Sequence, residues 1–542
     1  MRPVPFRAAV LVFLAALLAG PTSAAPSLVL LNGKLFTGEP AASSDRALAV
    51  EDGRITAVGS DADIRALAGP TTRIVDAGGR LVVPGLVEAH VHIGWDLPSP
   101  PLPMPGLPFP GPSPEQVLAA VEAAAKTGEG WISAWIGPRV ALDPRNWRAA
   151  LDVVAPRRPV LLRGFWGHTT IANSAALAAI GISERVVDPI GGWWGRDKDG
   201  RLDGRAYEAA EDLELRAAPP DAARLAGVFA AASRRYARWG VTSIHLMNSG
   251  SPLGVTIEAL KRARPIQSWT VYAWAGAPRE IAEAWRAIDA AALEAPAGVR
   301  IEGPKWMLDG TPLEQNALRR DDYPGRPGWR GRSNLDDTQL REILRRALAS
   351  PRQLALHVVG DAQTDRLLEL MRELAPPAVW RAKRVRIEHG DGIRIDTLAR
   401  VEELGLVVVQ NPSHFPPPAP GRSGPRSMLA SLARGGIPLA LGSDGGEPEQ
   451  NPFLNIMLAC TYPAAPGEAL SREEALHAYT AGGAYADRTE QANGKLKPGM
   501  AATLAVLSQD VLTVPASVLP ATRSVLTMVD GMVVHEEADW SR

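Results

Sequence analysis

Six side chains of this 542-residue chain have metal-binding chemistry and sit where apolar runs end. They are the pair in His90-Val91-His92, then Lys305, His357, His389 and Asp444. Residues two apart on a strand share a face, so His90 and His92 point the same way. The chain has nine histidines but a single cysteine, Cys460. Disulfides, cysteine zinc ribbons and Cys–Cys redox pairs are therefore excluded. A transition-metal site has to be built from imidazole, carboxylate or a modified lysine. A lone histidine at a strand end is ordinarily a hydrogen-bonded core residue. Lysine is different: only eight occur against fifty arginines, and one heading into a core is costly unless paired, neutral or chemically modified.

The elements that would position these residues are eight apolar runs alternating with helical stretches. They lie near Leu86–His92, Val241–Leu246, Ser268–Trp274, Arg300–Met307, Leu354–Val359, Val385–His389, Leu406–Gln410 and Pro438–Gly442. Strands in alternation with helices predict an α/β fold, a (β/α)8 TIM-type barrel over about 84–490. The six side chains then fall at the carboxyl ends of barrel strands, where barrel active sites lie. A large insertion after strand one, about 93–239, opens with the proline-rich stretch Pro98 to Pro114 and holds a strand-like run, Pro159 to Leu162, ending near His168. Short strands with turn signals fill 25–83 and 491–542, which predicts a small composite β-sandwich domain assembled from both termini.

Residues 1–24 read as a signal peptide: Arg2 and Arg7, an apolar run Ala8 to Gly20, then Thr22-Ser23-Ala24. No cysteine follows to carry a lipid anchor, so the expectation is an exported protein, periplasmic or secreted, with no membrane anchor after signal removal. With 58 Lys+Arg against 59 Asp+Glu, no electrostatic footprint for nucleic acid is present.

Further segments accompany the six residues: Gly167-His168 with Asn173-Ser174, Asp188-Pro189 with Gly191-Gly192, Asp309-Gly310, Gly360-Asp361 and Leu496-Lys497-Pro498-Gly499. Together the pattern resembles the amidohydrolase superfamily, in the branch of N-substituted formamide deformylases (amidohydrolase family 3). That superfamily carries His-x-His on strand one, Lys on four, His on five and six, and Asp on eight, the strands counted above. This chain departs from the branch at Glu88, usually Asp, and at Ala502-Thr503-Leu504, usually Ala-Asp-Leu.

The resemblance implies a carboxylated Lys305 bridging two divalent metal ions, with zinc the default. His90, His92 and Asp444 would serve one ion, His357 and His389 the other. A hydroxide between the ions would attack the carbonyl of a small amide-type substrate. Asp444 would act as general base and then acid. His168, by resemblance, and His414, just after strand seven, are candidate substrate contacts. A homo-oligomer stays open.

Two alternatives stand beside this reading. A mononuclear deaminase of the same fold would use His90, His92, His357 and Asp444 with Lys305 unmodified. It is disfavoured because Val358-Val359-Gly360-Asp361 lacks the Glu expected soon after His357. A non-catalytic metal- or ligand-binding barrel is disfavoured by Asp444, since storage needs no poised base. Smaller expectations are Asp361 as a helix cap, Asp309 as a turn residue or a brace for the Lys305 strand, Trp193 and Trp194 in a glycine-flanked loop as core or loop packing or an apolar wall, and His245, His477 and His535 as structural or surface residues.

Overall fold

A computed structural model describes residues 25–39, 45–95, 97–107, 111–211, 213–275, 280–414 and 427–540. The segment read as a signal peptide lies outside them.

The eight apolar runs form eight parallel strands: β1 (Leu86–Val91), β2 (Val241–Asn248), β3 (Ser268–Trp274), β4 (Val299–Met307), β5 (Ala355–Val358), β6 (Arg386–His389), β7 (Val407–Gln410) and β8 (Leu439–Leu441). They pair side by side in chain order. Runs this apolar suit a parallel sheet, whose strands are covered on both faces. Where β8 returns to β1, the Asp444 N–H donates to the His90 carbonyl at 2.9 Å. The sheet is a near-closed TIM-type barrel with helices outside. One of these helices, Asp337–Ala349, is started by a capping box in which Asp336 and Gln339 each bond the other's backbone N–H.

The insertion after β1 carries more structure than its sequence announces. Instead of one strand it holds a six-stranded sheet, with strands Pro101–Leu102, Ile132–Ile136, Val160–Gly164, Thr169–Ala172, Gly192–Arg196 and Leu202–Glu208. Trp193 and Trp194 are therefore on a strand, not in a loop. The Trp193 ring stacks on Tyr207 at 4.8 Å, which is the cross-strand pairing a loop would not supply.

The two β-rich ends form two sheets of four and five strands. In the second, Leu81–Pro84 pairs antiparallel with Leu504–Leu507, so the ends share one sheet. A single core containing Leu30, Val50, Val82, Leu504, Val506 and Leu526 fills the space between the sheets. Only Gly85 separates Leu81–Pro84 from β1, and its N–H donates to the Thr503 carbonyl at 3.0 Å. No helix among the described residues is long and apolar enough to cross a membrane.

Candidate metal centre

The strands bring all six sequence-predicted residues to one end of the barrel. His90 Nε2 and His92 Nε2 lie 3.4 and 3.3 Å from Asp444 Oδ1. His389 Nδ1 is 3.7 Å from Asp444 Oδ2. The His357 ring packs 4.5 Å from that of His389. Lys305 is buried on β4, close enough for its charge to act on His92, His357 and His389. A bulge helps aim the first pair: between the matched residues Glu88–Ile244 and Val91–Leu246, Ala89 and His90 of β1 together face the single His245 of β2. His389 and Asp444 reach inward from backbone φ of +69° and +45°.

Hydrogen bonds set which nitrogen of each imidazole is left bare. His90 Nδ1–H donates to Glu388 Oε2 at 2.6 Å, and Arg386 Nε in turn donates to Glu388 Oε1 at 2.8 Å. His389 Nδ1–H donates to Asn411 Oδ1 at 2.8 Å. His92 Nδ1 is held 2.8 Å from Ser249 Oγ, which also accepts from Trp95 Nε1 at 2.7 Å. Each of these partners occupies Nδ1 and leaves Nε2 free, and in His90 and His92 that Nε2 faces Asp444. His90 Nε2 and both nitrogens of His357 are buried without a hydrogen bond. Buried polar atoms are seldom left so, and a ring fixed through Nδ1 with a bare Nε2 is how proteins present metal ligands.

The charge states agree. Burial, aided by neighbouring positive groups, drives His92 down to about 3 and holds His357 and His389 well below the usual imidazole range. Neutral imidazole is the ligand form. Burial also lowers Lys305 to about 8, partly countered by Glu388 and Asp444. Among the described residues it makes no ion pair. For Asp444, burial alone would raise the carboxyl, but His90, His92 and His414 outweigh it and hold it well below the usual range. The donor set of four imidazoles, a carboxylate and a readily neutral amine fits divalent transition metals.

Both candidate substrate contacts also arrive here. The His168 ring lies 4.8 Å from His357, and His168 Nδ1 is 3.0 Å from Glu208 Oε2. His414 is exposed, with Nε2 3.1 Å from the Asp444 carbonyl oxygen.

Several residues at the site went unassigned in the sequence: Glu388, Arg386, Asn411, Ser249, Glu208 and Glu314. The first two did leave a signal, because charges two apart on an apolar strand share its inward face. Other expectations need correction. Of the two readings of Asp309 the brace fits and the simple turn does not: it is fully buried and accepts N–H bonds from Leu318, Val359 and Gly360. Asp361 is the first helical residue rather than the cap, because Gly360 takes the extended cap conformation. His245 needs none: it is a structural residue, buried between Arg386 and Asp487.

Glu88, where the branch usually has Asp, spans from β1 to β8. Its Oε1 accepts from the Ser443 N–H at 2.8 Å and the His90 N–H at 3.2 Å.

Comparison with known proteins agrees with this architecture. The model of the amidohydrolase family matches residues 73–535. The chain is 28% identical to the protein LONG AFTER FAR-RED 3 of Arabidopsis thaliana, covering 90% of this chain and 88% of that one. It is 24% identical to the N-substituted formamide deformylase of Arthrobacter pascens, covering 94% and 98%. A crystal structure of a metal-dependent hydrolase from Pyrococcus furiosus superposes with a TM-score of 0.63 at 23% identity, covering 90% of this chain and all of that one. With a family model matching most of its length, this chain belongs to the amidohydrolase family.

Proposed function

We propose that the chain hydrolyses an amide-type C–N bond of a small molecule, with His90, His92 and Asp444 holding one divalent cation, His357 and His389 a second, and a carboxylated Lys305 between them. The observation that carries this reading is the set of buried imidazole nitrogens left bare around Asp444. Zinc is the default cation for such donors. Once bound, the ions would supply an acidified water and polarise a carbonyl oxygen.

The chain's own residues do the rest. Lys305, buried and shifted toward the neutral amine, is disposed to take up carbon dioxide and present two carbamate oxygens. Glu388, Asn411 and Ser249 fix the imidazoles through Nδ1. Asp444 keeps a carboxylate ready to accept a proton at one oxygen and return it to the leaving nitrogen. His414, beside Asp444, and His168, beside His357, would serve as substrate contacts.

The A. pascens relative's name makes N-substituted formamides the first substrates to try. A mononuclear deaminase would leave Lys305 without a role, although the fold carries it into the centre. The N-terminal run Ala8 to Gly20 supports export, so hydrolysis would take place outside the cytoplasm.

The test is Asp444→Asn, assayed for bound metal and for turnover on a panel of formamides and other amides. Metal should stay and turnover fall about 10²–10⁴-fold, the contribution typical of an acid–base group. Near-normal turnover would refute its role.

A further inference from the structure

A second cluster of ligand-type side chains lies next to this centre. His168 precedes the inserted strand Thr169–Ala172, Glu208 ends the strand Leu202–Glu208, and Glu314 follows β4. Their donor atoms all lie within 4.8 Å of one another. Among the described residues only one other His/Cys/Asp/Glu group converges as closely, and it is His90, His389 and Asp444.

The cluster is poor in positive charge. All three residues are buried, with exposures of 7%, 1% and 4%. Among the described residues no Lys or Arg forms an ion pair with Glu208 or Glu314; His168 pairs with Glu208 at 3.0 Å, and Arg332 acts on Glu208 only from farther off. Buried carboxylates are normally matched by cations or by metal.

The two carboxylates converge at Gly310. A Cβ on Gly310 would stand 2.7 Å from Asn316 Cβ and Glu314 Oε1 and 3.0 Å from Glu208 Oε1, so the two carboxylates close in on the same stretch of backbone and only glycine fits there. Thr311 holds the Glu314 carboxylate there, its N–H and Oγ1 donating at 2.6 and 2.5 Å.

We propose that His168, Glu208 and Glu314 form an auxiliary divalent-cation site beside the six-residue centre. One imidazole nitrogen and two carboxylates suit zinc or manganese better than calcium, which favours a shell of oxygens. On loading, His168 Nδ1 exchanges its hydrogen bond to Glu208 for the cation and releases a proton. With the His168 ring 4.8 Å from His357, the ion borders the space where substrate would bind and offers a hold for a substrate oxygen. That role rests on the hydrolase reading above; the site itself does not.

The experiment loads the full-length protein with zinc, removes unbound metal by gel filtration and counts zinc per chain. The wild type is compared with Glu208→Gln/Glu314→Gln and with His90→Ala/His92→Ala. Anomalous diffraction at the zinc edge from wild-type crystals locates the ions without relying on any variant folding. The expected result is one equivalent lost from Glu208→Gln/Glu314→Gln, still present in His90→Ala/His92→Ala, and an anomalous peak between His168, Glu208 and Glu314. Absence of that peak overturns the auxiliary site. If peaks persist at the six-residue centre, the hydrolase reading survives that failure; if none appears anywhere, both fall.

Discussion

His389, the last residue of β6, and Asp444, three residues past β8, both lie in the left-handed backbone region, which residues carrying a Cβ adopt only at a cost. Such conformations persist where surrounding contacts hold them, and here those contacts are the residues that orient the ligands. Glu388 is the clearest case. It is fully buried, and burial alone would favour its neutral form. Arg386 and His90 outweigh that and keep the carboxyl well below its ordinary range. Glu388→Gln should leave the fold intact and weaken metal binding about 10–100-fold, measured by competition with a chromogenic chelator. The six ligand-type residues were legible in sequence because each is a polar side chain ending an apolar run. Their holders were not, since Glu388 meets His90 across 298 positions and only the barrel's register brings them together.

At the scale of elements, the loops after β4 and β5 are tied by Asp309, whose carboxylate gathers N–H groups from Val359 and Gly360, just past His357. Burial lifts its pKa from 3.8 to about 7 despite those bonds. A carboxyl raised in the folded state stabilises fully below its unfolded value, and that contribution is lost as pH climbs toward and through 7. The melting temperature of wild type minus that of Asp309→Asn should therefore be largest near pH 4 and shrink toward pH 8 (both windows set by about 3.8 and 7). A difference independent of pH would show that Asp309 stays ionised throughout. The barrel strands were readable because runs buried on both faces are continuously apolar. The inserted sheet was not, since its members are two to seven residues long and their pairing is decided by distant partners.

Across the whole molecule, one chain of charged and polar groups crosses the barrel interior. It runs from His90 through Glu388, Arg386 and His245 to Asp487, which sits directly after the helix Ala481–Ala486. Removing Arg386 would leave Glu388 buried without its main counter-charge. Arg386→Ala should cost about 3–5 kcal/mol in denaturant unfolding, the range for breaking a buried pair. The sandwich is coupled to the same barrel, because Leu81–Pro84 leads straight into β1. Leu504→Ala, within the core between the two sheets, should lower stability by about 2–5 kcal/mol, read from the same unfolding curves. That both ends are β-rich was visible in sequence; that they share one sheet required the fold. The seam between β8 and β1 adds a constraint on timing. Glu88 and Ser443, which it joins, are 355 positions apart. A nascent chain that has not yet made Ser443 and Asp444 carries the histidine pair but neither the acid nor a closed sheet. On the proposed reading, cation capture at this centre would therefore wait until residue 444 of the 542 has been made.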